Sequence, residues 1–182
     1  MSTITGRTFL QPQAALLTAG VITAIPVDTA TKFRGGLAVI ASVLRQHPEA
    51  VPGWSMVSEP CSAPFAVEHA TGRQIPLYFG VALGTVHVDA CIPVVDAIDD
   101  VVGPCIWGHW TKPGVWLWPG EDEDPVEITG RIGLDLEGVI PGRSVLLCSN
   151  PVRLTTPVAA PGHGMWRSVQ MATTSISELA RT

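Results

Sequence analysis

The sequence predicts a β-rich α+β fold in one domain spanning residues 1–182, built from short strands with short flanking helices. Three observations point there. Glycine (18) and proline (16) are abundant, which favours frequent turns over long helices. No apolar repeat of 3.6 residues runs beyond about three turns. The strongest periodic segment, residues 75–95, alternates with the two-residue period of a strand.

Taken in order, residues 8–10 predict a first short strand. Residues 11–20 predict a helix: Pro12 suits its first position, Leu16 and Leu17 supply an apolar side, and Gly20 can adopt the left-handed backbone that ends it. Residues 21–27 are β-rich and stop at Pro26 and Asp28. A polar loop, residues 28–35, precedes the apolar run 37–41, which predicts a buried strand. Pro48 and Pro52 break residues 43–53, with one turn starting at Pro48, and 54–65 shows no period and reads as connecting loop.

After a polar turn at 68–74, the alternating segment places Ala82, Gly84, Val86, Val88 and Ala90 on one small apolar face, expected to pack inward. Val81, Leu83, Thr85, His87 and Asp89 share the other face, which turns polar at its far end. Residues 96–103, with Asp96, Asp99 and Asp100, predict a turn. Trp107, Trp110, Trp116 and Trp118 cluster around a hairpin tip at Pro113-Gly114. Residues 126–134 predict a strand, residues 143–148 a central core strand, and the capping-box pattern from Ser175 to Glu178 a short terminal helix. Trp116, Trp118 and Trp166 are expected in the core and Trp110 on the surface.

The formal charge of -5 has one source: Glu121, Asp122, Glu123, Asp124 and Glu127 fall in one run, expected to be a solvated loop. The remaining chain is neutral and lacks the basic footprint of a general nucleic-acid binder, although a local pocket for one nucleotide is compatible with it. Cys61, Cys91, Cys105 and Cys148 form no Cys-x-x-Cys pair, so buried free thiols in a reducing, cytoplasmic setting are expected. No uncharged apolar run of about 18 residues exists, so no membrane span is expected. Residues 14–27 have the apolarity of a signal-peptide core, but Gln11-Pro12-Gln13 interrupts the approach to it. Two lysines against nine arginines, with abundant Ala, Gly and Val, suggest a bacterial or phage origin.

Several of these motifs together resemble the ASCH family, a branch of the PUA-like β-barrels. They are the Gln11-Pro12 helix start, Gly20, the loop Thr31-Lys32-Phe33-Arg34-Gly35, and the strand that ends in small residues at Ser42. Gly80, Gly84 and Val86 followed by the polar pair His87 and Asp89 match a second family strand. Pro141-Gly142-Arg143 and Gly162-His-Gly-Met-Trp166 match its close. The likeness covers 11–42, 76–94 and 139–167, while 43–75 and 95–138 are inserted or divergent.

The resemblance implies a small ASCH/PUA-like barrel with a helix beside a cleft, in a family associated with RNA and modified nucleobases. Some members look like amidohydrolases of N4-acetylcytidine, others like ribonucleases or RNA binders. The family's cleft pattern, Gly-x-Lys-x-x-(Glu or Thr)-x-Arg, falls here on Gly20, Ile22, Ile25 and Val27. Isoleucine has neither the amine nor the charge through which a catalytic lysine acts. The expectation is therefore noncatalytic nucleic-acid binding, to RNA or another single strand, with no catalytic residue, cofactor or metal. Gln11, Gln13, Thr23, Lys32, Arg34, His87, Asp89 and Trp110 are the expected ligand contacts. Two alternatives stand beside it: a protein-interaction module, phage or bacterial, that binds a host protein through a degenerate scaffold, and an amidohydrolase or ribonuclease with relocated catalytic groups.

Overall fold

The computed structural model describes residues 2–43, 51, 53–58, 63–93, 95–98, 101–105, 109–112, 115–117, 144–160 and 165–171. In chain order the elements are β1 (Ser2–Phe9), α1 (Gln13–Thr18), β2 (Ala24–Val27), β3 (Gly35–Ala41), β4 (Trp54–Val57), β5 (Phe65–Glu68) and β6 (Gln74–Pro76). They continue with β7 (Val81–Pro93), β8 (Val95–Ile98), β9 (Val101–Cys105), β10 (His109–Lys112), β11 (Val115–Leu117), β12 (Ser144–Ala159) and β13 (Trp166–Met171). The fold is thus β-rich, with one short helix among the described residues. The chain forms two compact units, Met1–Val21 with Gly36–Val86 and Pro151–Thr182, and Ile22–Gly35 with His87–Asn150. Strands β7 and β12 each run from one unit into the other.

In the first unit the sheet order is β13-β1-β3-β7-β12. β1 pairs antiparallel with β13 and parallel with β3. This two-sided pairing extends the strand expected at 8–10 back to Ser2, through polar residues that carry no apolar pattern. β3 is the buried strand its run of Leu37, Ala38, Val39, Ile40 and Ala41 predicts, every side chain being at most 1% exposed. Ala38, Ile40, Ala82, Ala160 and Val169 form one core cluster, with Ile4 and Leu154 packed against it.

Helix α1 buries all six of its residues. A helix this short has little stability of its own, so packing holds it. Pro12 lies at the cap, one position before the first helical residue. The end follows from Gly20, whose φ of 69° opens a paired closure. The Gly20 N–H donates to the Leu17 carbonyl at 3.2 Å, and the Val21 N–H donates to the Leu16 carbonyl at 3.0 Å.

Three expectations are corrected in this unit. Residues 54–57 are not loop: β4 pairs antiparallel with β5, which pairs with β6, and Trp54 is buried opposite Glu68. Four residues are too few to show a period, so the partner strand decides. The segment 75–95 is not one strand. It breaks between β6 and β7, where Gly80 has a φ of 70°. β12 continues through residues 150–159, with Asn150 at a φ of 48° before Pro151. Trp166 is not core. It is 39% exposed on β13, at the end of the sheet order, opposite Arg7, whose guanidinium lies 4.9 Å from its ring centre.

In the second unit β12 lies between β7 and β2 in the sheet order. Its start, Ser144 to Leu147, pairs antiparallel with β2 and is fully buried, as an apolar central strand should be. β8 and β9 form an antiparallel pair. Residues 95–98 and 101–105, part of the turn expected over 96–103, are therefore strand, and Asp99 and Asp100 lie outside the described residues. β10 and β11 pair antiparallel, with Trp110 opposite Trp116, and the expected tip at Pro113-Gly114 lies outside the described residues.

The Pro48 turn, the acidic run at 121–127, the strand at 126–134, the terminal helix at 175–178, Trp107, Trp118 and Cys61 lie outside the described residues, as do the side chains of Trp110, Trp116 and Cys105. Cys91 and Cys148 are free thiols, the second buried. No helix among the described residues is long and apolar enough to cross a membrane.

Candidate functional site

The polar loop and the polar end of β7 meet within the second unit. On β7, alternation sets His87, Asp89 and Cys91 on one face while Val88 and Ile92 are buried. His87 is exposed, and Asp89 and Cys91 are half-buried. The loop at 28–35 holds its own shape. The Phe33 N–H donates to the Thr31 hydroxyl at 3.0 Å, and the Arg34 guanidinium folds back to donate to the carbonyls of Thr31 at 3.1 Å and Phe33 at 2.7 Å. One contact fastens the loop to β7: the Thr31 N–H points at the Cys91 sulfur, 3.4 Å away. Lys32 and Arg34 both remain exposed.

Asp89 is the electrostatic centre. Burial pushes its carboxyl above the usual range. The Ser149 hydroxyl, the His87 imidazole and the Arg34 guanidinium each pull the other way, and burial outweighs them. Ser149 ends the buried run of β12 and is itself only 8% exposed. Asp89 Oδ2 and Ser149 Oγ are both enclosed, yet neither makes a hydrogen bond of ordinary geometry. An enclosed polar atom left without a partner gives up hydration and gains little in return.

The remaining expected contacts have other surroundings. Ile25 and Val27 are buried, sharing a face of β2 opposite Leu146 and Ser144. Ile22 is also buried. The three aliphatic replacements are therefore packed side chains. Thr23 is half-buried, and its carbonyl accepts the Cys148 N–H at 2.8 Å.

Gln11 and Gln13 belong to the first unit and are 4% and 7% exposed. The Gln11 amide donates to the Tyr78 carbonyl at 2.7 Å and accepts the Ala15 N–H at 3.2 Å, so it ties the helix start to the segment before β7. That is a structural role, set by burial, where a ligand contact was expected. Trp110 is on β10, and its side chain lies outside the described residues.

The structure thus gathers Arg34, His87 and Asp89, with Lys32 on the same loop. Sequence reasoning missed Ser149, which reads as the polar end of an apolar run, and Thr31 with Cys91 as the loop's fastening. Among the described residues no three His, Cys, Asp or Glu side chains are grouped closely enough to hold a metal ion. The arrangement offers two exposed cations, an imidazole and a half-buried carboxyl. These groups can bind and orient a polar ligand.

The chain matches no family model, and none of the curated proteins compared with it is significantly similar.

Proposed function

We propose that the protein binds single-stranded nucleic acid, RNA in particular, without transforming it, and that its strands build a small PUA-like barrel of the ASCH kind. One observation carries this reading. The loop at 28–35 is fastened to β7 through Thr31 and Cys91, which brings the exposed Arg34 within electrostatic reach of Asp89 beside His87, with the exposed Lys32 on the same loop. Cations held on a loop suit phosphates, and neighbouring polar side chains suit a base edge. The aliphatic, buried Ile22, Ile25 and Val27 support binding over catalysis, because nothing at those positions can move a proton or attack a carbonyl.

The test is fluorescence anisotropy of a labelled eight-nucleotide RNA against the full chain at several salt concentrations. Affinity should fall as salt rises, with a logarithmic slope of about 0.7 per phosphate neutralised. Lys32→Ala combined with Arg34→Ala should weaken binding and reduce that slope by about 1.4. An affinity unmoved by salt and by the double substitution would remove the proposal.

A further inference from the structure

We infer that Met165 is a site of reversible oxidation, with the buried guanidinium of Arg7 as the group that receives the new sulfoxide oxygen. The inference concerns the first unit and stands apart from the nucleic-acid reading. Arg7 is 3% exposed, so its charge is enclosed. Its guanidinium lies 4.9 Å from the ring centre of Trp166 and 5.8 Å from that of Phe9. Both rings attract the cation and hold it in place. From there Nη2 donates to the Met165 sulfur at 3.3 Å. The backbone of Met165 is fixed as well. Its carbonyl accepts the Thr8 N–H at 2.9 Å, next to the Arg7–Trp166 pair of the ladder.

A thioether sulfur is a weak acceptor for a charged donor. Met165 is also 44% exposed, so the same side chain meets a buried cation and solvent. The oxidant is hydrogen peroxide. A sulfur lone pair attacks one peroxide oxygen, and the O–O bond breaks. The proton on the transferred oxygen passes to the departing hydroxide, which leaves as water. Sulfur is oxidised, peroxide is reduced, and a methionine sulfoxide reductase can reverse the change. In most settings a methionine sulfoxide disrupts packing, because a polar oxygen enters apolar surroundings. Here a donor is already in place. The sulfoxide oxygen is a stronger acceptor than the sulfur, and the charge on the donor strengthens the bond further. The unbranched, flexible side chain can turn that oxygen toward Nη2 while the rings keep the guanidinium still. Oxidation therefore tightens the junction of β1 and β13.

The experiment treats the full chain and its Met165→Leu variant with hydrogen peroxide. Peptide mass mapping follows which methionine gains an oxygen, and thermal melts follow stability. Met165 should be oxidised before Met56, which is half-buried. The oxidised parent should melt about 2–4 °C above the reduced one, the shift expected when a stronger acceptor faces a charged donor. A sulfoxide reductase should return it to its original melting temperature. The same peroxide treatment should not raise the melting temperature of Met165→Leu, which separates this effect from oxidation elsewhere. Met165→Gln needs no oxidant, because its side-chain carbonyl stands in for the sulfoxide oxygen. It should melt about 2–4 °C above Met165→Leu. The parent's own shift decides the matter should either variant fold poorly. Oxidation of Met56 ahead of Met165, an oxidised parent that melts no higher than the reduced one, or an equal rise in Met165→Leu overturns the inference. So does a Met165→Gln protein that melts at or below Met165→Leu.

Discussion

Replacing Gly84 by alanine tests the packing of the first unit at its tightest point. A Cβ built on Gly84 collides with the Val152 carbonyl oxygen and comes within 3.1 Å of both Arg153 Cα and Thr18 Cγ2. Two of the three obstacles are backbone of β12. The third is a methyl on a side chain held by hydrogen bonds from its hydroxyl to the Ala14 and Ala15 carbonyls, each 3.1 Å. None can give way cheaply. Overpacking costs about 1–3 kcal/mol where side chains can adjust and more where backbone must shift, so about 3 kcal/mol is expected here. For a chain of this length that corresponds to a fall in melting temperature of roughly 6–12 °C.

Gly6→Ala is the control. Its added Cβ meets Val169 Cγ2 at 2.7 Å and Ile40 Cδ1 at 2.8 Å, the free ends of side chains that can rotate, with the nearest backbone atom 3.4 Å away. About 1 kcal/mol is expected for that variant, at the lower end of the same range. Thermal melts by circular dichroism, repeated with urea, measure both. A Gly84→Ala protein that melts within about 2 °C of the parent, or above Gly6→Ala, would refute the close approach of β7 to β12 and α1.

Three further outcomes follow from the same reasoning. Gln11→Ala should cost about 1 kcal/mol in urea denaturation, because it removes the part-buried bond to the Tyr78 carbonyl and the buried one from the Ala15 N–H; an unchanged midpoint would show that neither bond matters. Trp166→Ala should cost about 1 kcal/mol through loss of the ring over Arg7, and Arg7→Ala should remove most of that effect in a double-mutant cycle; independent effects would refute the stacking. Asp89 gives a pH signature. Burial raises its carboxyl, so the folded protein holds the proton more tightly than the unfolded chain. That contribution is fully present below the ordinary value of 3.8 and is lost as pH rises through the folded value. Asp89→Asn should therefore melt above the parent at neutral pH, with the gap closing on acidification; a gap of the opposite sign would contradict the burial of this group.

Much of the local structure was legible in the residues. Pro12 and Gly20 bracket α1, the run from Leu37 to Ala41 is a buried strand, and the alternation after Val81 sets His87 and Asp89 on one face. The basic loop also stood out by its composition. Backbone chemistry and apolar period act over a few neighbours, so a linear reading reaches them. The site was legible only in fragments. Ser149 reaches Asp89 across sixty positions of chain, and Cys91 holds Thr31 across the same span.

What the chain alone determined is therefore the place and type of its stronger elements, because a left-handed glycine or a two-residue period needs no distant partner. Tertiary structure decided the rest. It made β4 a strand by giving it β5, left Trp166 exposed over Arg7 at the end of the sheet order, turned Gln11 inward and enclosed Ser149 beside Asp89. Each of these depends on which strand lies alongside and how much water it excludes, and no short stretch of sequence carries that information.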